Sequence, residues 1–352
     1  MKILSISLDN SILDQTSALS RRTLAYGELV EKYAVIVPSQ KNQKVELSVK
    51  IEAYGSGGGN RFKQLINIYC LSKNLLNQNK FDVITVQDQY YLALVGLRLA
   101  KKFKIGLEIQ AHGFEKFYGL RKFIASYVLP RADAVRCVSR RLKKQLVAQF
   151  GVAEEKITVA PICSELATKN NKSAFKKENN KFIFLTVGRL VPVKNIGLQI
   201  AAMREVVKRY PEAQLWIVGD GPEKKNYEFS DQVKLLGQQK DVSSFYERAD
   251  AFLLTSNFEG WGLSVIEAAS FGLPIIMTDV GCAGEVIKNN QSGLIIPIGD
   301  KEKLAEAMLE LINDRGLVEK LGAAARAAIG SLPTKEQTLI LYQTSWRRAA
   351  KK

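Results

Sequence analysis

Two carboxylates eight positions apart, Glu259 and Glu267, bracket the run Gly260-Trp261-Gly262-Leu263-Ser264-Val265-Ile266. The stretch before them, Asp250 to Thr255, is short, apolar and bounded by polar residues, which predicts a buried parallel strand. From Gly262 the pattern opens a helix. Its first N–H groups have no intrahelical acceptor, and its dipole favours an anion. Glu259 then sits on the loop before the helix, and Glu267 about two turns into it. A second cluster, Gly188-Arg189-Leu190-Val191-Pro192-Val193-Lys194-Asn195, places two cations on one loop after another predicted strand. The arginine fork and the lysine point charge can together grip a diphosphate. Taken singly, each of these charges is ordinarily a solvated surface group. Together they suit a ligand that carries hydroxyls and a diphosphate, whose departing phosphate gains charge that fixed cations and helix N–H groups stabilise.

The elements that must position these residues alternate short apolar runs with amphipathic ones, which predicts a doubly wound α/β chain. In the first half, strands are predicted at 3–7, 34–37, 45–53, 83–86, 106–110 and 134–138, with helices at 19–32, 62–76, 91–102 and 140–150. A lysine- and asparagine-rich stretch at 164–180 has almost no apolar periodicity and reads as a linker. The pattern then restarts. Strands are predicted at 182–187, 214–218, 233–236, 250–255, 274–278 and 294–297, and helices at 197–210 and 301–311. Residues 335–352 form a further helix, with Leu339, Tyr342 and Trp346 on one face. The expected organisation is two Rossmann-like domains, 1–163 and 181–334, facing across a cleft, with ligands bound beyond the carboxyl ends of the strands.

The run from Asn257 through Gly281, continued by Gly284-Glu285-Val286-Ile287 and Asn290 to Pro297, closely resembles the E-x7-E region of family 4 retaining glycosyltransferases. Gly188 to Asn195 resembles the G-R-L…K loop of that family, with Asn195 where glycine is common. Val218-Gly219-Asp220-Gly221-Pro222 resembles its V-G-D-G-P turn, a structural corner near the nucleotide. Leu236 to Val242 resembles the stretch that borders the nucleobase. The resemblance implies the GT-B fold, with the last helix crossing back onto the N-terminal domain. It implies transfer of a sugar from a nucleotide-diphospho-sugar to a glycan or lipid-linked acceptor, with retention, no metal and no other cofactor. Arg189 and Lys194 would hold the diphosphate, the backbone of Gly262, Leu263 and Ser264 would cap it, and Gly188 and Gly219 would line the donor site. Glu267 would accept from ribose hydroxyls. Glu259 and His112 would serve the reaction centre. His112, the one histidine of the chain, lies in a Gln-x-His-Gly setting like the position where the family's histidine contacts the donor sugar. Asp88, at the end of the preceding strand, could bond a sugar hydroxyl, orient His112 or cap the next helix. The chain departs from the family after its first strand, where Leu8 to Ser17 contains no glycine. The Gly55-Ser56-Gly57-Gly58-Gly59-Asn60 run reads either as a flexible loop or as an acceptor-side phosphate cradle. A non-catalytic nucleotide-sugar-binding protein, and an epimerase or phosphorylase on the same fold, are the alternatives.

At 352 residues, with 46% hydrophobic and 24% charged content, the chain reads as a soluble two-domain protein. No apolar run nears the roughly 20 residues that span a bilayer. The N-terminus is too short for a signal core. Four scattered cysteines predict reduced thiols and a cytoplasmic setting. The net charge of +16 favours an anionic partner. Basic residues at 61/63, 101/102/104, 121/122, 131 and 140/141/143/144 concentrate in the first half and would suit the inner face of an anionic membrane. Few aromatics interleave with them, which argues against a single-stranded nucleic-acid platform. No G-x-G-x-x-G follows the first strand, which argues against a dinucleotide oxidoreductase.

Overall fold

Short β-branched runs form buried parallel strands, and the amphipathic stretches between them form crossover helices. The computed structural model describes residues 1–113, 119–164, 166 and 181–350 (the Ala18 side chain excepted). The chain divides into two units, Met1–Pro161 with Lys335–Lys352, and Ile162–Thr334. Of the stretch read as a linker, 164–180, only Ser164 and Leu166 are among the described residues.

The first unit runs β1 (Lys2–Ile6), α1 (Ala18–Gly27), β2 (Lys32–Val37), β3 (Asn42–Ser48), β4 (Ile51–Ser56), α2 (Arg61–Gln78), β5 (Val83–Val86), α3 (Tyr91–Phe103), β6 (Gly106–Ala111), α4 (Gly119–Val128), β7 (Ala134–Cys137), α5 (Arg140–Phe150) and β8 (Ile157–Val159). The second runs β9 (Ile183–Val187), α6 (Ile196–Val207), β10 (Gln214–Val218), β11 (Val233–Gly237), α7 (Ser243–Arg248), β12 (Ala251–Leu254), α8 (Leu263–Ser270), β13 (Ile275–Thr278), β14 (Leu294–Ile296), α9 (Lys301–Asn313) and α10 (Arg315–Ile329). Helix α11 (Lys335–Ala350) then packs on β6, β7 and β8, so it belongs to the first unit.

The first sheet has the order β3-β4-β2-β1-β5-β6-β7-β8, parallel except for β3, which runs antiparallel to β4. The second has the order β11-β10-β9-β12-β13-β14, with every pairing parallel. Each order reverses once, between β1 and β5 and between β9 and β12. At such a reversal the loops leaving the two strands diverge and open a ligand crevice.

The structure corrects two predicted elements. The single strand expected at 45–53 is the β3–β4 hairpin, with a fully exposed Val49 in its turn and β3 at the sheet edge. The helix expected at 19–32 ends at Gly27, because β2 begins at Lys32 to pair with β1. Elements α4, β8, α7 and α10 were not predicted.

The first unit is tied by a buried polar cluster. Glu108 on β6 is fully buried. It accepts from Arg136 Nε at 3.1 Å, from Trp346 Nε1 at 3.1 Å and from Thr85 Oγ1. The Arg136 guanidinium lies 3.6 Å from the centroid of the Tyr342 ring. A buried ion pair of this kind is costly to break from one side, so it couples α11 to β6.

Candidate functional site

The second unit's switch point is built from the loops after β9 and β12. The first loop leaves β9 at Gly188, whose N–H donates to Val218 O at 3.0 Å, and Leu190 N–H donates to Asp220 O at 2.9 Å. It thereby runs backbone to backbone against the turn after β10. The glycines of that turn follow from the contact: a Cβ on Gly219 would lie 1.9 Å from Gly188 O, and one on Gly221 would lie 2.3 Å from Leu190 O. A Cβ on Gly188 would meet only Lys194 Cε, at 3.9 Å, so packing does not demand that glycine. The loop ends at Asn195, with φ 47° and ψ 46°. This is the left-handed conformation that glycine adopts freely and asparagine tolerates best among the rest, which explains why asparagine can stand there.

The second loop is bolted to the first. Asn257 N–H donates to Val193 O at 2.8 Å, and Thr255 Oγ1 donates to Asn195 O at 3.1 Å while accepting from Gln199 Nε2 at 2.9 Å. The side chains then meet. Lys194 Nζ donates to Glu259 Oε1 at 2.5 Å, and Ser256 Oγ donates to the same oxygen at 2.7 Å. Gly281 braces this loop from behind, where a Cβ would lie 2.9 Å from Glu259 Cβ and 2.6 Å from Trp261 O.

Gly262, at φ 91°, starts α8 with no side-chain cap. Among the described residues no acceptor takes the N–H groups of Gly262, Leu263 or Ser264. Three donors at a positive helix end, three residues past Glu259, form an anion-binding edge. Arg189, on the neighbouring loop, is exposed. Further along α8, Glu267 is half-buried and held at both oxygens, by Ser164 Oγ at 2.9 Å and by Tyr246 Oη at 3.0 Å. Burial raises its carboxyl above the usual range, and these two hydrogen bonds work the other way. Tyr246 is fixed in turn by stacking on Phe271, ring centroids 5.2 Å apart.

In the first unit, His112 follows β6 and Asp88 follows β5. Gln87 Nε2 lies 3.4 Å from His112 Nε2, and Ser7 Oγ donates to Gln87 Oε1 at 2.7 Å. With the amide so placed its NH2 faces the ring, an arrangement that suits the neutral tautomer with Nε2 accepting and the proton on Nδ1. Burial, with the Arg136 and Arg22 charges, pushes the His112 pKa down to about 4, so the ring is neutral at pH 7. Of the three readings of Asp88, the structure displays the cap: its Oδ2 accepts from Leu92 N–H at 2.9 Å, and burial raises its pKa. The Gly55–Asn60 run is also committed. Gly55 and Ser56 lie in β4, the N–H groups of Gly57 and Gly58 donate to Ser39 Oγ and Gln40 O, and Asn60 caps α2. Phe114 and Glu115, which follow His112 closely, lie outside the described residues.

The structure therefore brings Gly188, Arg189, Lys194, Gly219, Glu259, Gly262, Leu263, Ser264 and Glu267 into one unit, and places His112 and Asp88 in the other. Sequence reading missed Ser164, Tyr246, Thr255 and Ser256, and placed Gln87 in a stretch resembling the family's cleft-lining loop without giving it a role of its own. Only Ser256 carried a local signal, the Ser-x-x-Glu spacing to Glu259. Among the described residues no group of three or more His, Cys, Asp or Glu side chains could hold a metal ion.

Residues 32–163 match the glycosyltransferase family 4 model and residues 167–328 match the model of the glycosyl transferases group 1. Over 270 residues the chain is 26% identical to an uncharacterized glycosyltransferase of Methanocaldococcus jannaschii, covering 73% of each protein. Over 281 residues it is 27% identical to the UDP-Gal:alpha-D-GlcNAc-diphosphoundecaprenol alpha-1,3-galactosyltransferase of Escherichia coli, covering 72% of this chain and 71% of that one. Among solved structures, sucrose-phosphate synthase from Thermosynechococcus elongatus superposes with a TM-score of 0.82 at 19% identity, over 99% of this chain and 98% of that one. Anabaena HepE in complex with UDP and glucose superposes with a TM-score of 0.76 at 18% identity, over 98% of each. These likenesses show the fold, two Rossmann-like parallel-sheet domains of the GT-B class. With both family models matched in tandem along it, the chain belongs to the family 4, group 1 type glycosyltransferases.

Proposed function

We propose that this protein is a retaining, metal-independent hexosyltransferase that moves a sugar from a nucleotide-diphospho-sugar to a glycan or lipid-linked acceptor. The observation that carries the reading is one switch point furnished with two cations, Arg189 and Lys194, and three backbone N–H groups that no described acceptor takes. In this reading the diphosphate lies across Arg189, Lys194 and the start of α8, with Gly188 leaving room beside Lys194 and Gly219 shaping the loop behind. The ribose hydroxyls reach Glu267. Lys194 and Glu259 pair with each other, and in this reading the lysine turns to phosphate when the donor binds while Glu259 turns to the donor sugar.

His112, neutral and with Nδ1 protonated, donates to the donor sugar near its reactive carbon, and Asp88 holds the adjoining turn. As the bond to the leaving phosphate breaks, the cations and N–H groups stabilise the charge that develops on it. The phosphate oxygen then takes the acceptor hydroxyl proton on the same face, which retains configuration without an enzyme nucleophile. The fixed cations supply what a bound metal would otherwise supply, so no cofactor is invoked. The E. coli relative is named for a diphosphoundecaprenol-linked acceptor. That name, with the +16 charge, supports a lipid-phosphate acceptor, work at the cytoplasmic face of a membrane and a role in envelope polysaccharide synthesis.

A thermal-unfolding panel of UDP-, GDP- and ADP-sugars tests the donor. A true donor at 100 times its dissociation constant stabilises the fold by about 2.7 kcal/mol. We expect one nucleotide class to raise the midpoint in the wild type and not in an Arg189→Ala/Lys194→Ala variant. No shift with any of them contradicts the reading. Release of the nucleoside diphosphate only when acceptor is added separates transfer from mere binding, and an α-linked product from an α-linked donor establishes retention.

A further inference from the structure

We propose that helices α2, α3, α4 and α5 form one face of the first unit that docks on an anionic lipid bilayer, with the exposed side of α4 inserted among the headgroups. This deepens the proposed membrane attachment, on which it rests, and is independent of the donor chemistry.

Topology puts these helices together. From β4 to β5, β6, β7 and β8 the chain advances in one direction across the sheet. Right-handed crossovers therefore lay α2 to α5 on the same side. Helix α3 packs against both α2 and α4. Helix α1, returning from β1 to β2 in the opposite direction, goes to the other side, where Tyr26 meets Trp346 of α11.

The charge on this layer is one-sided. The four helices carry twelve Lys or Arg residues and no Asp or Glu. Helices α9 and α10 of the other unit carry five bases and four acids, an ordinary solvated mixture. The apolar surface follows the same bias. Eight of the fourteen large hydrophobic residues exposed among the described residues lie on α2 to α5.

Helix α4 is the extreme case. Ile124, Ala125 and Val128 are buried, while Leu120, Phe123 and Tyr127, spaced i, i+3, i+7, form a second apolar stripe toward solvent. Leu120 is 62% exposed and Phe123 is 71% exposed. Arg121 and Lys122 interleave with that stripe, and Arg131 stacks on Tyr127 with its guanidinium 4.1 Å from the ring centroid. Phe62, 72% exposed, and Ile66 continue the apolar surface on α2, one turn apart.

A helix apolar on both sides has not satisfied its outer side within its own fold. Leu, Phe and Tyr among bases is the composition of a helix lying in the membrane interface, where apolar groups enter the acyl boundary and cations meet lipid phosphate. A second copy of this chain is disfavoured, because two faces with this excess of bases repel even with Glu154 paired to Lys143 of α5. Among the described residues no helix is long and apolar enough to cross a membrane, so the contact is peripheral.

The test is flotation of the full chain with vesicles of phosphatidylcholine, alone or mixed with phosphatidylglycerol, with no nucleotide sugar or acceptor present. We expect binding to the mixed vesicles. It should weaken about tenfold or more in Leu120→Ser/Phe123→Ser, since each buried side chain contributes on the order of one decade of affinity. Phe229→Ser/Ile298→Ser, which removes exposed apolar groups of the other unit, should bind like the wild type. A Phe123→Trp variant should blue-shift its emission on the mixed vesicles. All these sites are exposed, so the variants should keep the wild-type unfolding midpoint. If the wild type floats but Leu120→Ser/Phe123→Ser floats equally well, the face is wrong while membrane attachment stands. If the wild type binds no vesicle at low salt, both fail and the transferase reading is untouched. Tighter binding to single-stranded nucleic acid than to vesicles overturns the choice of partner.

Discussion

The chain has two switch points of the same topological kind, and they are furnished differently. Between β9 and β12 the diverging loops carry Arg189, Lys194 and Glu259, and each loop is hydrogen-bonded to the other. Between β1 and β5 the loops carry no cation at all. Their polar groups serve each other: Asp9 caps the turn that follows, Ser7 orients Gln87, Gln87 orients His112, and Asp88 caps α3. In the proposed reading the crevice between β9 and β12 takes an anion and the one between β1 and β5 takes neutral hydroxyls. A shared fold thus fixes where ligands sit, while the loop residues decide what they are.

The comparison breaks first, and most severely, at the element that holds the first unit together. Removing one partner of a buried ion pair costs about 3–5 kcal/mol. Arg136→Ala should therefore lower the denaturant midpoint of the whole chain far more than any change at the second switch point. A midpoint within error of the wild type would mean that the Glu108 cluster does not anchor α11.

At the second switch point the effect falls on rate rather than stability. Lys194→Ala should lower kcat/KM for transfer by about 10²–10³-fold, the loss typical of one stabilising donor to a developing oxyanion. Unfolding should move less than in Arg136→Ala, because Glu259 keeps the Ser256 hydroxyl when the lysine is removed. Wild-type transfer by a folded Lys194→Ala enzyme removes the anion reading of this crevice.

A smaller effect distinguishes the first switch point. His112 has a folded pKa of about 4 against an ordinary value near 6.5. Between these values the unfolded chain binds the extra proton, so stability is full above pH 6.5 and declines as pH falls toward 4. The stability gap between pH 7 and pH 4.5 should be narrower in His112→Gln than in the wild type. Equal gaps would mean that the ring is not held neutral. Gln87→Ala should cut transfer several-fold by freeing the ring tautomer, and Gln87→Glu should not rescue it, because a carboxylate favours the protonated ring. The smallest expected effect is none: transfer should survive excess EDTA. Loss on chelation, restored by a divalent cation, contradicts the metal-free mechanism.

The second switch point was legible in the sequence because its parts are local. Strand, loop and helix start fall within one run from Asp250 to Glu267, and the loop after β9 is just as short. The residues that hold those parts were not legible. Ser164 reaches Glu267 across 103 positions, and Asn195 meets Asn257 across 62, and no periodicity encodes such pairings. The β3–β4 hairpin was missed because its Val49-Lys50 turn contains no glycine, proline or asparagine. Helix α4 was passed over although its helical spacing is present, with Ile124 and Val128 one turn apart on the buried side. Asp88 was placed in the right turn with its role left open, since one short carboxylate can cap a helix or bind a ligand, and only geometry tells the two apart.

The central claim, that Arg189 and Lys194 with the start of α8 grip a diphosphate, is tested most directly by calorimetric titration of the wild type and Lys194→Ala with a nucleoside diphosphate and with the bare nucleoside. The account predicts that the diphosphate binds the variant at least about tenfold more weakly, one charge-assisted contact being worth roughly 1.5–3 kcal/mol, while the bare nucleoside binds both alike. Equal affinity of the diphosphate for the two proteins would contradict it.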